Sequence, residues 1–388
     1  LTFDGFTQFK FTYDKVDFYL AQNFSRTEYQ REGLYKNGIY ADNSYGKGNS
    51  ITFENFGFKG GLTYKLNGRN YFDFNGLYQT KAPSLRNTFS NARLNNVITP
   101  DLQSERVTSA DASYILKTPK VKARLTGFYT KIQDATEISF FYGEGIGSDD
   151  GGDEDTFVSE IVSGIDKQNM GVELGLEYNI TSTIKATAAA SYGQYIFSDN
   201  ARLKTNDDAL AAAGNNSLTD FGTVYIKNYH QAGMPQTAAS FGLEYRDPNF
   251  WWIGANVNYL ANSYVDFANI LRTDNFSIDS ATGDNYAGAT PETVRAILKQ
   301  EKFDSFTLVN LTGGKSWRIS KANRNTVGFF ASVNNVFDIQ YKTGGFEQSR
   351  KATFPDLQAD QANGTPSFGS KYFYGYGRTF FVNFYINF

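Results

Sequence analysis

Two kinds of connection alternate along this chain, and nothing constrains its fold more tightly. Short turns occupy Asp14-Lys15, Asn67-Gly68, Thr118-Pro119-Lys120, Thr181-Ser182-Thr183, Asp247-Pro248-Asn249 and Ser320 to Asn325, with residue types that suit hairpins. Long polar connections lie between them at 26–55, 79–105, 134–168, 198–236, 260–303 and 338–371. Each runs to about 25 to 45 residues, well past ordinary loop lengths. Short and long never exchange places. The segments they join number about thirteen, which implies an up-and-down antiparallel sheet with its elaborated loops gathered at one end.

Within those segments apolar side chains occupy every second position, the period of a strand with two unlike faces. The last one shows it best: Tyr372, Tyr374, Tyr376, Phe380, Val382, Phe384, Ile386 and Phe388 share one parity, and Gly375, Gly377, Thr379, Asn383 and Asn387 share the other. The pattern recurs in Phe56, Phe58, Leu62, Tyr64 and Leu66, in Met170, Val172, Leu174, Leu176, Tyr178 and Ile180, in Trp251, Ile253, Ala255, Val257 and Tyr259, and in Val327, Phe329, Ala331 and Val333. The second parity carries Lys59, Lys65, Glu173, Glu177, Asn256, Asn258 and Asn334. One face suits hydrocarbon and the other water.

A soluble sandwich alternates too, so further features must arbitrate. All eight prolines (Pro83, Pro100, Pro119, Pro235, Pro248, Pro291, Pro355 and Pro366) fall in turns or loops, as a closed ladder requires. Trp251, Trp252 and Trp317 lie beside short turns, where an interfacial aromatic belt sits. The expected fold is an all-β transmembrane antiparallel up-and-down β-barrel, with periplasmic short turns and extracellular long loops. The last strand then runs inward, and so does the first. An odd strand number would force one parallel pair on closure, so further strands are expected upstream of Leu1.

Composition excludes other classes. Aromatics make up 16% of 388 residues, too many for a disordered chain, and no apolar run is long enough for a membrane helix. The net charge of −3 offers no field for nucleic acid. Cysteine is absent and histidine occurs once, which removes thiolate and multi-histidine metal sites and cysteine nucleophiles. No cofactor is implied.

Three short segments, in order, carry a resemblance. Thr80-Lys81-Ala82-Pro83-Ser84-Leu85-Arg86-Asn87 is followed by Thr99-Pro100-Asp101-Leu102-Gln103-Ser104-Glu105. Then come Asn334-Asn335-Val336-Phe337-Asp338-Ile339-Gln340-Tyr341, and Gly377-Arg378-Thr379-Phe380 with terminal Phe388. These resemble the "APSL … NP-L-PE", "NLFD–xY" and "GRTF…F" segments of TonB-dependent outer-membrane receptors. Gln103 and Ser104 stand where that family usually has Lys and Pro. The resemblance implies that residues 1–388 are the C-terminal portion of a 22-strand type barrel, with plug, TonB box and first strands outside the chain. Richness in Phe, Tyr, Asn and Lys suggests the Bacteroidota branch. The implied function is uptake of a siderophore, glycan or peptide across the outer membrane of a Gram-negative bacterium. The implied partners are outer-membrane lipid and lipopolysaccharide, TonB, and a surface lipoprotein lid in the glycan-importing subgroup.

Several residues are candidates for more specific roles. Arg86, Asn87, Arg93, Asn95 and Asn96 form a cluster of donors on one long loop, suited to ligand or to holding the loop together. Tyr225, Tyr229 and His230 occupy another long loop, where a lone histidine reads equally as an ordinary polar residue. Asp149, Asp150, Asp153, Glu154 and Asp155 could hold Ca²⁺, but lack the EF-hand register and read more simply as a solvated loop tip. Arg378 lies on the apolar parity near the outer interface, placed to reach lipopolysaccharide phosphates. Thr290-Pro291-Glu292 followed by Val294, Ile297 and Leu298 predicts a short surface helix. Competing readings are a passive porin, an outer-membrane barrel enzyme dependent on His230, and a soluble sandwich. A plug and TonB box upstream would favour active transport over the porin, and a few more strands alone would favour diffusion.

Overall fold

The computed structural model describes residues 1–144, 155–208, 210, 218–279, 281–319, 325–350 and 353–388. In chain order its strands are β1 (Thr2–Thr12), β2 (Val16–Gly33), β3 (Gly46–Lys65), β4 (Asn70–Lys81), β5 (Glu105–Lys117), β6 (Val121–Glu144), β7 (Asp155–Asn179), β8 (Ile184–Phe197), β9 (Ala201–Asp207), β10 (Leu218–Val224), β11 (Thr237–Arg246) and β12 (Trp251–Ala261). Helix α1 (Pro291–Ile297) precedes β13 (Phe306–Arg318), β14 (Thr326–Asn334) and β15 (Lys342–Phe346). Helix α2 (Phe354–Ala362) precedes β16 (Lys371–Tyr374) and β17 (Thr379–Asn387).

Thirteen strands form one antiparallel path, β1-β2-β3-β4-β5-β6-β7-β8-β11-β12-β13-β14-β17, in agreement with the strand number and order read from the sequence. The short turns are held by side chains chosen for that task. Asn67 Oδ1 accepts from the amides of Arg69 and Asn70, Thr118 Oγ1 from Val121, Thr181 Oγ1 from Ile184, and Asp247 Oδ1 from Asn249. Such local bonds tighten a turn into a fixed register.

The two faces behave as their residues demand. Phe56, Phe58, Leu62, Met170, Val172, Leu174, Phe241, Leu243, Ile253, Phe380 and Phe384 are all exposed on one side. An apolar surface of that extent is tolerable only against lipid. On the other side polar groups satisfy one another: Tyr19 donates to Asn75 (3.1 Å), Asn75 to Asp111 (3.1 Å), and Thr63 to Asp73 (2.6 Å). A Cβ on Gly61 would lie 2.3 Å from the Tyr19 ring, so glycine there lets the tyrosine cross to Asn75.

The buried core lies in the long-loop layer rather than in the wall. Val158, Val162, Leu203, Val224, Ile226, Phe267, Ile270, Leu271, Phe276 and Phe354 pack there. β6 and β7 outrun the sequence reading, extending through residues expected in the 134–168 loop, and β2 and β3 do the same in 26–55. Beyond the apolar band nothing enforces apolar alternation, so the ladder continues without its signature. β9 pairs with both β7 and β10, widening this arm. The terminal run from Tyr372 is also divided: β16 pairs with β15 in a separate two-stranded ribbon, and only β17 joins the wall. Helix α1 forms as the sequence predicts, with reciprocal Thr290 and Thr293 capping bonds, and Val294, Ile297 and Leu298 pack on the loop core. Asp149, Asp150, Asp153 and Glu154 lie outside the described residues, as does the Asp155 side chain.

Candidate functional site

Two bulges build the site by letting the β6–β7 arm keep its facing beyond the wall. Register slips between Ile132 and Ala135 and again before Glu137, with Asp134 at φ 60° and Gly164 at φ 69°. Because each strand gains an extra residue, Glu137, Ser139 and Phe141 of β6 and Val158, Glu160 and Val162 of β7 stay on the same side as Lys167. The Lys167–Glu137 ion pair spans that side. The connection between β12 and β13 folds over it, and Phe267, Ile270 and Leu271 cover Val158 and Val162.

A cavity of about 770 Å³ remains between this arm, the β12–β13 connection and the segment after β15. Glu137, Glu160, Asp266 and Glu347 line it, with Arg86 and Arg350. Two of the four carboxylates have built-in cations. Lys167 pairs with Glu137, and the buried Arg272 guanidinium grips Glu347 through both terminal nitrogens. Arg272 also donates to the carbonyls of Ala268 and Leu298 at 3.0 Å and lies over the Tyr229 and Phe267 rings.

Glu160 is different. It is 4% exposed, its Oε2 accepts from Ser139 (2.7 Å) and Asn269 (3.2 Å), and its Oε1 is buried without a hydrogen-bond partner. Burial holds its carboxyl above the usual glutamate range; bonds from Ser139, Asn269 and the Ile270 amide oppose this, and the Asp266 charge adds to the rise. Asp266 belongs to the exposed residues, though protein groups of the cavity lining crowd around its carboxyl. That crowding raises its carboxyl above the usual range, and the charges of Glu137 and Glu347 push in the same direction. Solvent contact at such a site does not hydrate a charge as bulk water does, so crowding decides the direction. Neither Glu160 nor Asp266 forms an ion pair among the described residues. No three metal-ligating side chains converge among them either.

Comparison with known proteins identifies the architecture. The TonB dependent receptor-like, beta-barrel family matches residues 2–336. The chain belongs to that family. Its β-barrels are Gram-negative outer-membrane proteins. No curated protein matches the sequence. Among solved structures, the copper transporter OprC is similar at TM-score 0.61 and 16% identity, covering 99% of this chain and 47% of that one. The ferric yersiniabactin uptake receptor FyuA from Yersinia pestis is similar at TM-score 0.58 and 12% identity, with 100% and 46% covered. The FrpB iron transporter from Neisseria meningitidis gives 0.53 and 14%, with 98% and 45% covered. The chain therefore spans less than half the length of these receptors.

In this TonB-dependent receptor barrel, the three motif segments hold the wall to its loops. Buried Pro83 offers its carbonyl to Tyr29 (3.1 Å), and Glu105 at the start of β5 pairs with Lys81 at the end of β4 (2.9 Å). Pro100 and Asp101 form a turn and Leu102 lies between it and β5; Asp101, at φ 56°, pairs with Lys204 on β9 (2.6 Å). Asn335, at φ 50°, closes a turn on Ile339 and donates to the Tyr376 carbonyl; Phe337 beside it is exposed. Asp338 accepts from the Arg378 amide, and a Cβ on Gly377 would lie 2.6 Å from Asp338 Oδ1. Phe388 ends the chain exposed just past β17.

The loop candidates do not converge. Arg86 lines the cavity and Asn87 donates to the Thr136 carbonyl (2.6 Å). Arg93 is exposed, whereas Asn95 is buried and Asn96 receives a bond from Arg31 at 2.5 Å on the opposite side of the arm. Tyr225 reaches Asp274, Tyr229 donates to the Leu298 carbonyl, and His230 stacks on Tyr264 at 3.9 Å while its Nδ1 meets Gln236. Desolvation lowers the His230 pKa from its ordinary value. Sequence reasoning missed Glu160, Asp266, Arg272 and Glu347. One signal was present for Glu160: it interrupts the apolar parity of Val158 and Val162.

Proposed function

We propose that this chain forms part of the wall and the ligand-capturing mouth of an outer-membrane importer driven by TonB. Family membership over residues 2–336 carries the reading. The exposed apolar face supports residence in the outer membrane, and the cavity within the loop layer supports capture at the cell surface. The remaining strands, the plug and the TonB-contacting segment would be carried by sequence before Leu1. The nutrient is of the siderophore, glycan or peptide class. Richness in Phe, Tyr, Asn and Lys supports an origin in the Bacteroidota.

Lipopolysaccharide would meet Arg378. Its Nε donates to the Val336 carbonyl (2.9 Å), which fixes the guanidinium at the long-loop end of β17 with its terminal nitrogens turned to the surroundings. Phosphate oxygens suit that geometry.

Accumulation of labelled siderophores, glycans and peptides in cells with and without the receptor tests the reading, each in TonB-competent and TonB-deficient backgrounds. At least one ligand class should require both proteins. Receptor-dependent entry that persists without TonB would identify a passive pore instead.

A further inference from the structure

Resting on the uptake reading above, we propose that the nutrient is a peptide, captured in extended conformation as an added strand on the free edge of β6. The cavity lining shows which part of β6 faces the space. Glu137, Ile138, Ser139, Phe140, Phe141 and Tyr142 all line it, whereas β7 contributes only Glu160 and Val162. Side chains of a strand alternate between its faces, so a cavity lying on a face meets every second residue, as it does on β7. An unbroken run on β6 means that the main-chain edge itself is presented.

That edge is open. β5 pairs with β6 only as far as Gln133, opposite Arg106, while β7 continues along the other side to Glu144. Asn87 donates to the Thr136 carbonyl where the free stretch begins, and among the described residues no group outside β7 bonds the main chain from Glu137 to Tyr142. In an antiparallel ladder every second residue turns both its N–H and its C=O away from its partner, so this stretch offers a row of donors and acceptors to the cavity. An added strand continues the row that β5 leaves at Glu105.

Natural sheets blunt such edges with proline, lysine or a covering segment. No proline or lysine stands between Glu137 and Tyr142, and Ile138, Phe140, Phe141 and Tyr142 are residues that favour a strand. The edge lies instead in a space of about 770 Å³ walled by Ser84, Arg86 and residues 266–269 and 346–350. Such a recess admits one short strand and excludes a second sheet.

Charge agrees with a peptide. Glu137, Glu160, Asp266 and Glu347 stand with Lys167, Arg272, Arg86 and Arg350 at the same place, so the cavity asks no net charge of its occupant. What it leaves unmatched is main chain, and a peptide supplies alternating N–H and C=O groups at the spacing of the edge. The stretch from Ile138 to Tyr142 spans about 17 Å at about 3.4 Å per residue, a length for a peptide of about six residues. Exposed Phe140 and Tyr142 offer cross-strand neighbours to apolar side chains at its alternate positions.

The test uses the purified full-length receptor in detergent micelles, titrated calorimetrically with a capped hexapeptide alternating threonine and valine, and with the same peptide N-methylated at every residue. Side chains are then equal and only the N–H donors differ. The unmethylated peptide should bind at least about tenfold more tightly, the size expected for a few main-chain bonds, and its carbon-13 carbonyls should show strand-type infrared absorption once bound. Phe140→Cys capped with a bulky maleimide should abolish that binding, whereas the same label at Tyr35→Cys, on an exposed residue outside the cavity, should leave it unchanged. Equal binding of the two peptides, or none below about 1 mM, would overturn the inference. So would slow amide exchange from Ile138 to Tyr142 before any peptide is added, which would place another part of the receptor on the edge. TonB-dependent uptake of a siderophore or glycan by a receptor that ignores the hexapeptide would overturn it while leaving the uptake reading intact. Binding of the hexapeptide at the edge without TonB-dependent uptake would do the reverse.

Discussion

Asp338 Oδ1 accepts the backbone amide of Arg378 at 2.7 Å, joining two segments forty positions apart, and Arg378 returns the contact by donating Nε to the Val336 carbonyl. Both segments carry the family resemblance, and the structure makes them one clasp at the head of β17. Asn335 closes the same clasp through the Tyr376 carbonyl. The conformation is specific: Asn335 and Asp338 both adopt positive φ, and Gly377 leaves no room for a Cβ beside Asp338. Their chemistry is that of a joint rather than a ligand contact.

Asp338→Ala should therefore weaken closure of β17 on β14. The bond is charge-assisted but exposed, so the loss should be about 1 kcal/mol. The temperature at which the receptor loses its compact migration in detergent gels should fall, and Gly377→Ala should lower it further. Unchanged midpoints in both would contradict the clasp.

The lipid-facing parity makes a second, larger prediction. Leu174 lies about six residues above the β7–β8 turn, near mid-bilayer for a strand rising about 3.3 Å per residue with a tilt near 40°. Leu174→Arg should cost about 2–4 kcal/mol in a folding titration from urea into lipid. Glu173→Arg, one residue away on the wet face, should cost far less. Equal penalties would mean that the two faces share one solvent.

Arg272 should anchor the loop layer without anchoring the wall. Its side chain is 1% exposed and holds Glu347, Ala268 and Leu298 together. Arg272→Ala leaves Glu347 without its cation, a loss of about 3–5 kcal/mol when such a pair is broken from one side. Limited proteolysis should then cut residues 262–305 and 342–350 rapidly while the thirteen wall strands stay resistant. Simultaneous loss of wall resistance would show that layer and wall unfold as one unit.

Glu160 sets a pH dependence for the same layer. Burial raises its folded-state pKa, so the folded protein keeps a proton that the unfolded chain has already released. That stability is fully present below the ordinary glutamate range and is lost as pH rises through the raised folded value. Hydrogen exchange at Ile270 and Leu271 should quicken across that window in the wild type. Glu160→Gln should flatten the dependence and protect the layer at neutral pH. A wild-type slope retained in the variant would move its origin elsewhere.

Legibility in the sequence follows the solvent. Where lipid demands an apolar residue at every second position, as from Met170 to Tyr178, strand and facing can be read directly. Asn67, Thr118, Thr181 and Asp247 mark the turns because their side chains make the turn bonds. Beyond the membrane band the rule lapses: the outer halves of β6 and β7 are paired without alternating, and the bulges at Asp134 and Gly164 reset the parity. Tyr372 and Tyr374 show the opposite failure. They keep the apolar parity of β17, yet Tyr374 pairs with Lys342, because the clasp at Gly377 separates the two pieces. The cavity was invisible for a different reason, since Glu160, Asp266 and Glu347 come from connections whose meeting depends on tertiary packing.

The chain contains no cysteine, so a cysteine introduced into it is the only thiol it contributes to spin labelling. Labels at Phe58, Val172 and Leu243, each compared with its neighbour at Lys59, Glu173 and Glu244, report oxygen and water-soluble quencher access in the native outer membrane. The first three should collide with dissolved oxygen and be shielded from the quencher, with the neighbours reversed, giving a period of two along each strand. Quencher access at both parities, or oxygen access at neither, would contradict a wall with lipid on one side and an aqueous path on the other.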